Sequence, residues 1–220
     1  MAVSAPLFHL TGIRYAYALD HPVLDDARLC LEAGERLALL GANGSGKTTL
    51  LHLMVGLIKP QAGEIHAFGK TRQSEADFWE VRARAGLLFQ DPDDQLFCPT
   101  VAEDVAFGPL NLGKNRAQVH RIVHDTLAFL GLDGFGQRIT HKLSGGEKRL
   151  VSLATVLAME PDVLLLDEPS NALDNESRER LLTILQKLPQ SMVLISHDRD
   201  FVERLATRRV YLNAGKLSSA

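Results

Sequence analysis

Cysteine is scarce in this chain of 220 residues, with only Cys30 and Cys98 present. The two show no metal-ligand spacing, which excludes a cysteine-built metal site. They are expected to be reduced, small apolar residues of a cytosolic protein. Charge of one sign is also lacking. The formal net charge is −3, so there is no electrostatic footprint for general nucleic-acid or anionic-membrane binding. No apolar run approaches the roughly 20 residues needed to span a bilayer. Met1 to Pro6 lacks a basic region followed by an apolar one, so no secretion signal is expected. The expectation is a soluble protein that meets a membrane only through another protein. What is present is a 45% hydrophobic chain, enough for one large core or one core plus a small subdomain.

The stretch with the clearest chemistry is Gly41-Ala42-Asn43-Gly44-Ser45-Gly46-Lys47-Thr48-Thr49. It fits G-x-x-x-x-G-K-[ST], the phosphate-binding P-loop. Before it, Arg36 to Leu40 reads as a buried parallel strand, and after it Thr49 to Val55 can begin a helix. Glycines let backbone N–H groups turn towards one anion, and the helix points its positive end at the same place. Lys47 can then reach the β- and γ-phosphates of a nucleotide, and the Thr48 hydroxyl can ligate Mg²⁺.

Other segments read as follows. Leu7 to Ile13 predicts a strand and Arg14 to Pro22 a loop carrying Tyr15 and Tyr17. A tyrosine there could stack on a purine base or cover a sheet edge. Two strands follow, Ala27–Glu32 and Glu35–Leu40, then a strand over Glu64–Phe68 and a helix over Ser74–Arg84. Ala85 to Phe89 is a compact apolar strand that stops at a polar, proline-containing loop, placing Gln90 where α/β proteins put ligand-contacting groups. Thr100 to Gly131 predicts two or three helices, with Thr100 as a cap and Glu103 three residues on. Leu96, Phe97, Phe107 and Leu110 are either core or a docking surface. Leu143-Ser144-Gly145-Gly146-Glu147 leads into an apolar helix, either as a second anion-binding end or as an ordinary N-cap. The tail from Thr207 is expected to give one or two edge strands.

Two strand ends carry reactive groups. Asp162 to Leu166 demands a central strand, and it ends in Asp167 and Glu168. Buried carboxylates are costly unless a cation or water uses them. Asp167 suits the Mg²⁺ role, and Glu168 is placed to polarise an attacking water. Ser191 to Ser196 is another core strand and ends at His197, which can donate to a γ-phosphate oxygen or position water. His120 and His124, with no carboxylate cluster beside them, read as a solvated face.

Together these residues resemble the nucleotide-binding subunits of ATP-binding-cassette transporters, over nearly the whole chain. The resemblance implies an α/β fold: a P-loop NTPase core with a mixed sheet, an antiparallel β subdomain and a helical insert. It implies one ATPase domain over 1–220, with 1–90 and 160–220 as core and 91–159 as the helical part. It implies that ATP is bound by Tyr17, Asn43, Gly44, Ser45, Gly46, Lys47, Thr48 and Thr49. Gln90 is similar to the family's glutamine loop, Leu143–Glu147 to its signature motif, His197 to its switch histidine and Ala172-Leu173-Asp174 to its D-loop. Gln90, Glu168 and His197 would be catalytic. Mg²⁺ would meet Thr48, Gln90 and Asp167. Ser144, Gly145, Gly146 and Asp174 would serve a nucleotide held with a second ATPase subunit, expected to be a second copy of the chain.

Phe89 to Phe97 and Thr100 to Pro109 look more narrowly like the ATPase of energy-coupling-factor importers, which take up cobalt, nickel or vitamins such as biotin. That implies a transmembrane coupling protein and a substrate-binding membrane protein as partners, at the cytoplasmic face of the inner membrane, with no nucleic acid. The sequence departs from the common pattern in reading Ser-Gly-Gly-Glu, and in ending soon after Tyr211 where many relatives carry a further domain. The alternative functions are a non-transport ATPase of the same superfamily acting on DNA or ribosomes, and a non-hydrolysing nucleotide sensor.

Overall fold

The computed structural model describes residues 5–18 and 21–219. The leader reading on Met1–Ser4 and the loop positions Leu19 and Asp20 lie outside the described residues. Phe8–Ala18 (β1) and His21–Leu31 (β2) pair antiparallel, and Arg36–Leu40 (β3) leads into Lys47–Met54 (α1). Ala62–Ala67 (β4) and Lys70–Arg72 (β5) follow, then Glu75–Arg84 (α2) and Ala85–Leu88 (β6). Val101–Asn111 (α3), Arg116–Phe129 (α4) and Gly145–Leu157 (α5) precede Val163–Asp167 (β7), Asn175–Lys187 (α6) and Ser191–Ile195 (β8). Arg199–Leu205 (α7), Arg208–Asn213 (β9) and Lys216–Ser219 (β10) complete the order.

Two sheets result. An antiparallel one runs β2-β1-β4-β5, and a six-stranded mixed one runs β10-β9-β3-β8-β7-β6. In the second sheet only β10 is antiparallel to its neighbour. Strand alternation explains why its central strands read as unbroken apolar runs. Val163 and Leu165 of β7 face one core, shared with α1 and the antiparallel sheet, while Leu164 and Leu166 face a second core made with α5 and α6. β8 repeats this, with Val193 and Ile195 on the first side and Met192 and Leu194 on the second. All five residues of each strand are buried, so neither strand could carry a polar residue except at its end.

Three expectations are corrected. The segment 14–22 is mostly strand, because β1 continues to Ala18 and β2 begins at His21, with register shifts along the pair that let the long hairpin twist. The tail is not all edge: β9 pairs parallel with β3, burying Val210 and Leu212 in alternation, and only β10 lies at the edge. The helix after the signature-like residues starts at Gly145, not Val151, because Ser144 caps it. The segment from Thr100 holds two helices, and the Thr100–Glu103 capping box is formed. Leu96 is core, whereas Phe97, Phe107 and Leu110 are exposed.

Candidate active site

The P-loop connects β3 to α1 and is shaped by close backbone approach. Gly46 has φ 104°, and a Cβ there would lie 2.6 Å from Val23 Cγ1, so only glycine lets the loop pass this strand. No side chain caps α1, which leaves its first N–H groups pointing out of the helix end. Lys47 Nζ donates to the carbonyl oxygens of Gly41 and Ala42 at 2.8 and 2.9 Å. Burial lowers the lysine's pKa, opposed by the charges of Glu168 and Asp167.

A cavity of about 560 Å³ gathers most of the expected site. Asn43, Gly44, Gly46, Lys47, Thr48 and Thr49 line it from the P-loop and α1, and Gln90, Asp167, Glu168 and His197 line it from the ends of β6, β7 and β8. Tyr17 lines it too, 67% exposed, with its hydroxyl 3.1 Å from Thr49 Oγ1 and its ring edge-on to Tyr15. Ser45 does not line it; its Oγ is buried without a partner. A larger cavity of about 750 Å³, lined by Gly41 and Ala42 among others, shares His197 with it, but the two carboxylates face the smaller one.

Strand β7 delivers the acids to different surroundings. Asp167 is buried, and burial pushes its carboxyl pKa up, opposed by the Thr48 hydroxyl and by nearby His52, Lys47 and Arg149. Glu168 leaves the strand at φ 45°, a left-handed turn uncommon for a side-chain-bearing residue. Its backbone N–H donates to Ile195 O at 2.9 Å, tying the turn to β8. The His197 N–H donates to Glu168 Oε2 at 3.2 Å, while Glu168 Oε1 is buried with no hydrogen bond and lies 3.3 Å from His197 Nε2.

The donor set fits Mg²⁺. Asp167 Oδ1 is buried without a hydrogen-bond partner, and the Thr48 hydroxyl and Gln90 amide share its cavity. These are hard oxygen ligands, too few to cage the ion, and Mg²⁺ is commonly held by one or two protein oxygens plus phosphates and water. Among the described residues no group of three or more His, Cys, Asp or Glu could hold a metal ion alone.

The structure leaves Ser144, Gly145, Gly146 and Asp174 outside this cavity. Gly145 lines a different one, beside Asn171, Ala172 and Leu173. Ser144 forms a capping box with Glu147, whose Oε2 accepts from Ser144 N at 2.8 Å. Arg138 Nη1 donates to Glu147 Oε1 at 2.7 Å, which accounts for glutamate in the Ser-Gly-Gly-Glu variant. Asp174 caps α6. Sequence reading missed Arg138 and also Arg149, a buried residue of α5 that donates to the carbonyls of Phe89 and Gln90 at 2.7 and 2.5 Å. An arginine in an apolar helix was the available signal.

Known proteins resemble this chain in sequence and fold. The sequence pattern of the family described as ABC transporter matches residues 24–171. A putative ABC transporter ATP-binding protein of Brucella suis is 59% identical, over 90% of this chain and 82% of its own length. The nickel import ATP-binding protein NikO of Rhodobacter capsulatus is 44% identical over 98% of this chain and 89% of its own. The energy-coupling factor transporter ATP-binding protein EcfA of Methanothermobacter thermautotrophicus is 40% identical over 96% and 69%. Among solved structures, cbiO1 of Clostridium perfringens, part of the ABC transporter complex cbiONQ, superposes with a TM-score of 0.87 at 31% identity, over 98% of this chain and 88% of that one. The ATP-binding cassette MJ0796, a dimer in a post-hydrolysis state with ADP and phosphate, gives 0.85 at 25% identity, over 96% and 98%.

Proposed function

We propose that this chain, which belongs to the ABC transporter family, is the ATP-hydrolysing subunit that powers import of a transition-metal ion or a vitamin through an energy-coupling-factor-type transporter. One observation carries the reading. Lys47, Thr48, Gln90, Asp167, Glu168 and His197 converge on one cavity, while Ser144 to Gly146 lie outside it in the same chain. A site with its signature end elsewhere is completed by a second subunit, and a two-fold pair of identical chains supplies that end twice.

The chemistry follows from the groups present. Lys47 exchanges the Gly41 and Ala42 carbonyls for β- and γ-phosphate oxygens. The P-loop N–H groups and the α1 end hold the phosphates, and Tyr17 stacks on the base. Thr48, Asp167 and Gln90 would hold Mg²⁺, which would neutralise the developing phosphate charge. Glu168 Oε1, buried and unbonded, accepts the proton of the attacking water. His197 orients Glu168 and donates to the γ-phosphate. Ser144, Gly145 and Gly146 of the second copy close on that phosphate from the α5 end, and Asp174 lies on the D-loop beside it. Residues 1–90 and 160–220 act as the nucleotide-binding core, and 91–159 as the helical part that moves with the partner.

No described helix is long and apolar enough to cross a membrane, so membrane contact runs through a transmembrane coupling protein at the cytoplasmic face. The exposed Phe97 and Phe107, beside Gln90's loop, form its docking face. Cargo is chosen by a separate substrate-binding membrane protein. The NikO relative favours nickel; cobalt and biotin are the other candidates. The test is capture of the tagged chain from detergent-solubilised native membranes. A transmembrane protein with a small substrate-binding membrane protein is the expected yield, and that protein's ligand names the cargo. Recovery of soluble partners alone overturns the importer reading.

A further inference from the structure

Arg178 lies in the first turn of α6, beside Ser177, and its side chain is 16% exposed. Its guanidinium grips the carboxylate of Asp198 in a fork, with Nε on Oδ2 and Nη2 on Oδ1 at 2.9 Å, and Nη2 also reaches Asp200 Oδ2 at 2.6 Å. Asp198 directly follows His197 and caps α7 by accepting from Phe201 N at 3.0 Å. One side chain of α6 thereby fixes the turn that carries His197.

The same turn of α6 meets the signature-like end. Ser177 is held by Asp174 through N–H and hydroxyl bonds, both 2.9 Å. A Cβ on Gly146 would lie 2.5 Å from Ser177 Oγ, so the start of α5 rests on the start of α6 with no room between. Contacts therefore run without a break from Gly146 through Ser177 and Arg178 to Asp198, His197 and Glu168. Packed elements of this kind shift together rather than deform.

We propose that Arg178 is a positioning residue for His197, and that it carries engagement of this chain's Ser144–Gly146 end with a second subunit's nucleotide to this chain's own Glu168–His197 pair. This rests on the two-subunit site proposed above. Arginine is required because a bidentate grip fixes orientation as well as distance, which a lysine ammonium does not do.

The test uses the full chain purified with its membrane partners. ATP turnover is measured against ATP concentration for wild type, Arg178→Gln, Asp198→Asn and Glu168→Gln. In both Arg178→Gln and Asp198→Asn, kcat is expected to fall roughly five- to twenty-fold with KM little changed. The Hill coefficient should drop from about 2 towards about 1, because the two sites no longer sense each other. Asparagine still caps α7, so Asp198→Asn decides alone if Arg178→Gln fails to assemble. A Hill coefficient unchanged from wild type overturns the proposal, and lowered thermal stability with intact kinetics marks a purely structural bridge and does the same. Glu168→Gln on the same preparation separates the failures: if it hydrolyses ATP like wild type, the site assignment fails whatever Arg178 does.

Discussion

His197 Nε2 lies 3.3 Å from Glu168 Oε1, and the His197 backbone N–H donates to the other Glu168 oxygen at 3.2 Å. One oxygen of the glutamate thus accepts a backbone hydrogen bond, while the other, beside the imidazole, accepts none and keeps a lone pair for a proton. Glu168→Gln preserves the shape and removes the basicity. It is expected to bind ATP, to slow hydrolysis by roughly 10²- to 10⁴-fold, and to accumulate as a closed dimer on size-exclusion chromatography with ATP. Wild-type turnover in this variant removes Glu168 from the catalytic role.

Tyr17 offers an exposed ring beside the P-loop with its hydroxyl on Thr49. Stacking on a base contributes about 1 kcal/mol, so Tyr17→Ala should weaken ATP binding roughly five-fold with kcat unchanged. Tyr17→Phe keeps the ring and should bind nearly as wild type. Equal affinity in wild type and Tyr17→Ala, measured by calorimetry, would place the tyrosine at a sheet edge and nothing more.

Arg138 and the Ser144 N–H hold the Glu147 carboxyl below its ordinary 4.5. A carboxylate with a depressed pKa stabilises the fold above its unfolded pKa and loses that contribution as pH falls through the folded value. Glu147→Gln keeps an amide oxygen for the Ser144 cap and loses the pairing with Arg138. It should cost roughly 0.5 kcal/mol near neutral pH, about 1–2 °C in Tm. The difference from wild type should be full above pH 4.5 and close as acid titrates the wild-type glutamate. A difference that stays constant down to pH 3 would show that shape, not charge, matters at this position.

Local pattern revealed the chemistry and long-range pairing stayed hidden. The P-loop, the Asp167–Glu168 strand end and His197 were legible because each follows a run of apolar residues that only a buried strand accommodates. Their convergence followed from strand order, which puts the ends of β3, β8, β7 and β6 side by side. Arg14 to Pro22 misled because tyrosine, aspartate and proline suggest a turn, yet β1 and β2 pair within it, Ala16 with Pro22 and Ala18 with His21. Likewise β9 opens with exposed Arg208 and Arg209, a polar start that hides a strand placed inside the sheet. Arg178 and Arg138 were invisible because their partners, Asp198 and Glu147, are distant in sequence or already assigned to another motif.

Phe97 and Phe107 pack edge to face at 4.9 Å while remaining 65% and 46% exposed. Leu57 and Leu110 are each 50% exposed, and Leu57 shares a cavity with both rings. Leu96, two residues from Gln90's loop in the same segment, is buried, so the core in this region is already filled without the two rings. Their exposure is the basis of the docking face proposed above. Phe97→Ser with Phe107→Ser should therefore leave the thermal stability of the chain within about 0.5 kcal/mol of wild type and leave ATP hydrolysis by the isolated subunit intact. Co-purification of the transmembrane protein should fall sharply. If the double variant still captures that protein at wild-type yield, the docking face lies elsewhere. If it loses ATP hydrolysis as well, the rings support Gln90's loop rather than a partner.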